Sequence, residues 1–175
     1  ADVLQEIPAL LIGSAFLLSL LVGSFLNVVI HRLPIMLDRQ WRTQAEEMLA
    51  DPASPAPVTE REPARYDLIV PRSACPHCGA PILAHQNIPV VSWLLLGGKC
   101  ANCKARISPR YPIVELATAI LSAAVVWRFG WHWQSVAALF FTWALVALTV
   151  IDLDHQVLPD IITIPLLWLG LLVSV

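Results

Sequence analysis

The longest apolar run constrains this chain more than any other feature. Residues 7–30 are 24 successive positions without an ionisable side chain. A helix that crosses a bilayer needs about 20 apolar residues, so the run predicts a first membrane-spanning helix. A secretory signal would carry positive charge ahead of a shorter apolar core, whereas Asp2 and Glu6 precede this run.

Three further apolar stretches follow. Residues 111–127 are interrupted by Glu115, and residues 131–151 are 21 positions without Asp, Glu, Lys or Arg. Residues 161–175 are also apolar, but fifteen positions are short for a span, so they predict either the start of a longer span or a short re-entrant helix. The chain is 57% hydrophobic and 14% charged, whereas in a typical soluble domain about half of the residues are apolar and about a quarter are charged. We therefore predict a mainly α-helical, polytopic integral membrane protein.

Positive charge is concentrated in one loop and fixes the expected orientation. Ten of the eleven Lys and Arg residues lie between Arg32 and Arg110. Since positively charged loops stay in the cytoplasm, we expect residues 31–110 inside, the N-terminus outside and a tight outer turn at residues 129–130. The formal net charge of −2 argues against a basic nucleic-acid-binding protein, so the lipid bilayer and not a nucleic acid is the expected partner.

The long loop divides into three parts. Residues 36–50 carry apolar side chains at helical spacing, which predicts an amphipathic helix on the membrane surface or on the core, or else an ordinary solvated helix. Residues 51–65 are rich in Pro, Ala and charge, as is typical of a linker. The predicted segments are a first membrane helix (1–30), an amphipathic helix and linker (31–66), a cysteine module (67–111) and the start of a membrane core (112–175).

The cysteine module carries the strongest local signal. Cys75 and Cys78 form one CxxC pair, Cys100 and Cys103 form another, and 21 residues separate the pairs. Two such turns can close a tetrahedral metal site, and a small module without a large apolar core needs that stabilisation. Two disulfides or a redox pair are the alternatives, but a cytoplasmic loop is reducing. We predict a structural Zn²⁺ in a zinc-ribbon-like insertion between the first two membrane helices, with His77 exposed.

Three carboxylates follow the third apolar stretch. Asp152, Asp154 and Asp160 either end the span in the headgroup region or include a functional acid, because ionisable groups at membrane depth are costly. Aspartic peptidase chemistry needs two carboxylates that share a proton, yet positions i and i+2 of a helix do not face each other. Asp152 is therefore a candidate catalytic acid, but the sequence offers no obvious second carboxylate to pair with it. Glu115 is expected to be the structural partner of a basic loop residue.

Four stretches occur together along nearly the whole chain. They are residues 23–34 (GSFLNVVIHRLP), the two CxxC pairs, residues 110–115 (RYPIVE) and residues 151–160 (IDLDHQVLPD). Jointly they resemble the type IV prepilin peptidases, which are bifunctional aspartic peptidases of the bacterial inner membrane. With the orientation expected from charge, a bacterial inner membrane would put the N-terminus in the periplasm and the cysteine module in the cytoplasm. Asn27, His31 and Arg32 are expected to anchor the first helix at the interface.

The resemblance implies two activities. The enzyme would cleave the basic leader of type IV prepilins or type II secretion pseudopilins after a Gly, and the apolar helix of the substrate would stay in the bilayer. It would then methylate the new N-terminus with S-adenosylmethionine. The resemblance makes Asp152 the first catalytic aspartate and puts the second in a Gly-x-Gly-Asp motif. None of the seven glycines here precedes Asp, so we expect an N-terminal portion that is inactive alone as a protease.

The methyl-transfer site is the least defined part of this interpretation. The chain has no Gly-rich cofactor loop of the usual kind. Gly98 and Lys99 could let the backbone approach S-adenosylmethionine closely, or they could form a plain turn before the second cysteine pair. Two other functions stay open. One is a non-catalytic, membrane-anchored zinc module that binds a partner protein, and the other is a peptidase for a signal that is not a pilin.

Overall fold

The computed structural model describes residues 8–49 and 65–174. The helices are α1 (Pro8–Leu49), α2 (Val91–Leu95), α3 (Arg110–Phe129), α4 (Trp133–His155) and α5 (Asp160–Ser174), with a short 3₁₀ helix at Ala84–Asn87. Apart from Arg65, the linker predicted over residues 51–65 lies outside the described residues, as does the start of the first predicted segment.

Three of these helices are long and apolar enough to cross a membrane. They are α1, α3 and α4, whereas α5 has 15 residues and is shorter than a full span. The cysteine module lies between α1 and α3 in the chain. The prediction of a mainly helical, polytopic membrane protein with a metal-binding insertion is therefore confirmed. Helix α3 ends at Phe129, and the next residue, Gly130, has a φ of 66° that turns the chain toward α4.

Helix α1 differs from the expectation of two separate helices. It continues for 42 residues from Pro8 to Leu49 and passes through Pro34 without a break. At a rise of 1.5 Å per residue it is about 63 Å long, roughly twice the thickness of the hydrocarbon core. Leu37 still packs against the core, but every residue from Trp41 to Leu49 is exposed. The amphipathic segment is thus a continuation of the first membrane helix, and its last nine residues contact no other part of the described chain closely enough to be buried.

The core lies where α1, α3 and α4 meet near the module. Its fully or nearly buried members are Leu26, Ile30, Leu33, Val114, Ala147 and Ile151. Helices α1 and α3 approach closely at Gly23, where an added Cβ would lie 2.7 Å from the Cα of Glu115. Small residues allow this type of approach between membrane helices. Helix α4 joins through Trp143, whose indole N–H donates to the hydroxyl of Ser122 at 2.9 Å.

Candidate functional site

The four cysteines come together as a set of metal ligands. All four Sγ atoms lie within 4.8 Å of one another, and those of Cys75 and Cys103 are 3.8 Å apart. A tetrahedral zinc site with Zn–S bonds of about 2.3 Å has S–S edges of about 3.8 Å, so the donor set and its size fit Zn²⁺. Among the described residues this is the one such ligand cluster, and the exposed His77 does not belong to it.

The two cysteine pairs sit in matching turns. The first cysteine of each pair donates its N–H to the carbonyl five residues later and accepts a hydrogen bond from the N–H four residues later. These bonds are Cys75 to Ala80 and Gly79 to Cys75, and Cys100 to Ala105 and Lys104 to Cys100. The residue after each pair is left-handed, with φ of 69° at Gly79 and 60° at Lys104. Two copies of one local turn therefore build the site.

Hydrogen bonds in these turns favour the thiolates of Cys100 and Cys78, whereas burial and the neighbouring sulfur atoms raise the pKa of Cys103 to about 11. The N–H groups of Cys103 and Asn102 lower the pKa of Cys100 to about 6. The N–H of Ala80 and the side chain of Asn102 lower the pKa of Cys78, and the Asn102 amide nitrogen lies 3.7 Å from the Cys78 sulfur. Because the thiolate is the metal ligand, these donors prepare the site for a cation. Asn102 links the two pairs, a role that the sequence pattern did not reveal.

Arg32 joins the cysteine module, which we call the metal module from here on, to the membrane helices. Its side chain is buried in the central part of α1, just after the apolar run, and it donates to the carbonyl oxygens of Asp67 at 2.8 Å and Pro71 at 2.5 Å. The guanidinium groups of Arg32 and Arg39 also lie 5.8 and 4.3 Å from the ring centroid of Tyr66. Arg32 thus holds the segment that leads into the first cysteine pair, beyond the interfacial anchoring expected of it.

A turn centred on Asp67 presents these carbonyls. The N–H groups of Val70 and Ile69 each donate to the Asp67 carboxylate at 2.7 Å, and Arg65 forms an ion pair with it at 2.7 Å. Together, in that order, they lower the pKa of Asp67 to about 2. The ionised carboxylate therefore orders the turn whose backbone Arg32 binds.

Glu115 makes a second link between module and membrane. It is buried in α3, and its carboxylate accepts a hydrogen bond from the Val90 N–H at 2.7 Å. Within residues 8–49 and 65–174 no basic side chain is paired with Glu115, so its partner in the described part of the chain is a backbone N–H and not the expected basic loop residue. The N–H of Val90 is free to donate because Val90 is the residue directly before the short helix α2, where its φ is 60°. Nearby, Asn27 of α1 donates to the Tyr111 carbonyl of α3 at 3.1 Å, so it joins two helices.

The carboxylates after the third span have different surroundings. Asp154 is paired with Arg110 at the start of α3, beside a cleft of about 150 Å³ that His31 and His155 also line. Asp152 lies one turn before the end of α4 and is exposed. Within residues 8–49 and 65–174 its side chain forms no hydrogen bond or ion pair. Asp160 is exposed and begins α5, where a helix N-terminus favours negative charge.

Comparison with known families gives the chain its place. Residues 17–129 match the bacterial peptidase A24 N-terminal domain, and residues 139–175 match the type IV leader peptidase family. The chain belongs to the type IV leader peptidase family. The family indicated by the sequence motifs is therefore confirmed.

Relatives of this chain agree with it along almost its whole length. It is 53% identical over 173 residues to the prepilin leader peptidase/N-methyltransferase of Stutzerimonas stutzeri and 52% identical to that of Pseudomonas aeruginosa, covering 99% of this chain and 58% of each relative. The Aeromonas hydrophila protein of the same name is 53% identical over 171 residues. The chain thus spans less than two thirds of these relatives. No solved structure gives a significant match.

Gly98 and Lys99, the two residues predicted to approach a cofactor, have structural contacts. Gly98 has a φ of 65°, and an added Cβ would lie 2.8 Å from the ring of Trp93. Lys99 is exposed, and its backbone pairs with the backbone of Arg106 in an isolated antiparallel β-bridge. These contacts account for the glycine through packing alone, and a role of Gly98 and Lys99 in binding S-adenosylmethionine stays a prediction.

Proposed function

We propose that the full-length protein is a membrane aspartic peptidase and N-methyltransferase acting on type IV prepilins and type II secretion pseudopilins. The observation that carries this proposal is the 53% identity, across 99% of the chain, to a relative with both activities in its name. We further propose that the protein lies in the bacterial inner membrane, with a periplasmic N-terminus and a cytoplasmic cysteine module. The concentration of basic residues between Arg32 and Arg110 supports that orientation.

In this proposal Asp152 is one carboxylate of the catalytic pair. It lies in the last turn of a helix long enough to cross the membrane. That position suits a substrate whose apolar helix is in lipid and whose basic leader is in the cytoplasm. In a carboxylate pair one member activates water while the other, protonated, donates to the scissile carbonyl. The partner of Asp152 would come from outside these 175 residues, since no glycine here precedes an aspartate.

The two cofactors would have separate roles. Zn²⁺ would be structural, because four cysteine ligands leave no open coordination position for substrate or water. S-adenosylmethionine would supply the methyl group, with Gly98 and Lys99 as the candidate contacts. Arg32 and Glu115 would then keep the metal module at a fixed position beside the membrane helices.

The test uses the full-length protein and a prepilin with a basic leader and a Gly-Phe junction. We expect Asp152→Asn to abolish cleavage while zinc content and thermal stability stay at the level of the unchanged protein. Glu46→Gln is the matched control, because Glu46 is exposed near the end of α1 and does not line the cleft that α1 forms with the end of α4. Cleavage by the Asp152→Asn variant would exclude the catalytic role, and an intact substrate with unchanged protein would exclude this substrate class.

One observation favours a second function for these 175 residues alone. The metal ligands are all present, whereas Asp152 has no bonded partner among the described residues. A membrane-anchored zinc module that binds a partner protein would have these properties. Co-expression with the remaining part of a full-length relative distinguishes the two functions, since restored cleavage that depends on Asp152 supports the peptidase.

A further inference from the structure

An apolar surface of the metal module has no role in holding the metal. In α2, the buried Ser92 hydroxyl donates to the His85 carbonyl at 2.8 Å, and the Trp93 indole N–H donates to the Ile107 carbonyl at 3.3 Å. Those bonds fix one side of α2 to the module. The other side is exposed and apolar. This apolar face of α2 consists of Val91, Leu94 and Leu95, which are 47%, 64% and 82% exposed.

The apolar face lies at the level of the membrane. Val90, the residue before α2, is hydrogen-bonded to Glu115, which is five residues beyond Arg110 in α3 and so about 7.5 Å further along that helix. Glu115 also packs against Gly23 in α1, nine residues before the Arg32 that binds the Asp67 turn. Those nine residues correspond to about 13 Å of helix. The α2 end of the module is therefore deeper along the membrane helices than the Asp67 end.

The module also carries the charge that an anionic surface attracts. Residues 65–110 contain six Lys and Arg residues and one acidic residue, Asp67, apart from the thiolates and their metal. Two of the six are paired with carboxylates, and the other four, Arg72, Lys99, Lys104 and Arg106, are exposed. The backbones of Lys99 and Arg106 pair in a β-bridge. Lys99 directly follows Gly98, which lies against the ring of Trp93. Basic residues beside an apolar patch are typical of segments that bind anionic bilayers.

We propose that the apolar face of α2 inserts into the inner leaflet of the bilayer and that Lys99 and Arg106 contact anionic lipid headgroups. Helix α3, which is bonded through Glu115 to the residue before α2, also exposes apolar side chains such as Ile113 and Leu116, as expected of a membrane-spanning helix. The metal module is thus held at the membrane by three elements, the Arg32 contact, the Glu115 contact and direct insertion of α2. This inference is independent of the peptidase activity.

Photocrosslinking in a bilayer tests the proposal. The full-length protein carries benzoylphenylalanine in place of Leu95 and is reconstituted in nanodiscs of phosphatidylethanolamine and phosphatidylglycerol. We expect phospholipid adducts by mass spectrometry after irradiation. Ile69 is the matched control, because it is 79% exposed in the same module but lies in the Asp67 turn. Zinc content measured on both variants shows that the module is folded.

Each outcome decides the question. Lipid adducts at position 95 in clear excess over position 69 support insertion. Arg106→Gln should then lower the adduct yield in anionic nanodiscs by up to about fivefold, the factor for one basic residue at such a surface. Adducts at position 95 to peptides of the C-terminal portion or of a second copy would overturn the proposal and identify that occupant. Equal yields at the two positions would also overturn it.

Discussion

The metal module and the cytoplasmic end of α4 are built in opposite ways. All four metal ligands come from two short turns, and their sulfur atoms lie within 4.8 Å of one another. Asp152, the acid proposed for catalysis, is exposed and has no bonded partner in the described part of the chain. A metal site can be completed by local turns, because CxxC spacing already points both thiolates the same way. A pair of carboxylates from separate helices depends on the packing of those helices.

The two regions are nevertheless connected. Arg32 and Glu115 are buried ionisable residues of α1 and α3, and both bind backbone groups of the module. A buried charged group that loses its partner is destabilising, so each contact favours a single arrangement of module and helices. The following predictions separate the contributions of the metal, these contacts and the helix packing, starting with the largest effect.

Removal of one thiolate should have the largest effect. We expect Cys100→Ser to lose bound zinc and to leave the module open to proteolysis, because metal binding supplies about 10–16 kcal/mol to small zinc modules. Metal analysis and limited proteolysis measure both effects. His77→Ala, an exposed change between two ligands, should keep one zinc per chain. Full zinc retention by Cys100→Ser would contradict the four-cysteine site.

Removal of the Arg32 contact should have a smaller effect that leaves the metal bound. Arg32→Met takes the donor away from two carbonyl oxygens, and we expect a loss of about 2–4 kcal/mol in stability, since hydrogen bonds to charged groups contribute about 1.5–3 kcal/mol. The measurement is thermal unfolding in detergent together with zinc content. Arg42→Met is the control, because its ion pair with Asp38 is exposed and should change stability by less than about 0.5 kcal/mol. Equal effects of the two changes would show that Arg32 does not hold the module.

Closer packing at Gly23 tests the helices without touching the module. Gly23→Ala places a methyl group 2.7 Å from the Cα of Glu115, so α1 and α3 must separate. We expect destabilisation of about 1–3 kcal/mol, as for other overpacked sites, measured by thermal unfolding. Gly13→Ala in the same helix has no atom within 4 Å of the added group and should be neutral or slightly stabilising. A neutral Gly23→Ala would mean that the helices do not approach as described.

The Asp67 turn gives the smallest effect and depends on pH. Because the folded-state pKa of about 2 is below the ordinary value of 3.8, the ionised carboxylate stabilises the turn. This contribution is complete above about pH 4 and is lost as the pH falls toward 2. Hydrogen exchange of the Ile69 and Val70 amides, corrected for intrinsic rates, is compared between the unchanged protein and Asp67→Asn at each pH, because acid also protonates the cysteine thiolates and releases their metal. The unchanged protein should be more protected than Asp67→Asn at pH 5 and equal to it at pH 2. Equal protection of the two proteins at pH 5 would refute the assignment.

Much of the fold follows from local sequence signals, and the errors arise where local signals conflict. The apolar runs predict α3 and α4 to within a few residues at most ends. The continuity of α1 was missed because charged residues and Pro34 follow the apolar run. Arg, Glu, Gln, Leu and Met are nevertheless good helix formers, so the helix continues after its apolar part ends. Likewise, Glu115 in an apolar stretch suggests a cationic partner, although a backbone N–H satisfies it.

The sequence by itself determined the long apolar helices, the metal ligands and the family, because each depends on run length or on spacing within a few residues. Only the tertiary structure decided which groups Arg32, Glu115 and Arg110 bind. Their partners Asp67, Val90 and Asp154 are 35, 25 and 44 residues away in the chain. Contacts over such separations are set by how whole helices pack, and no local pattern of residues encodes that packing.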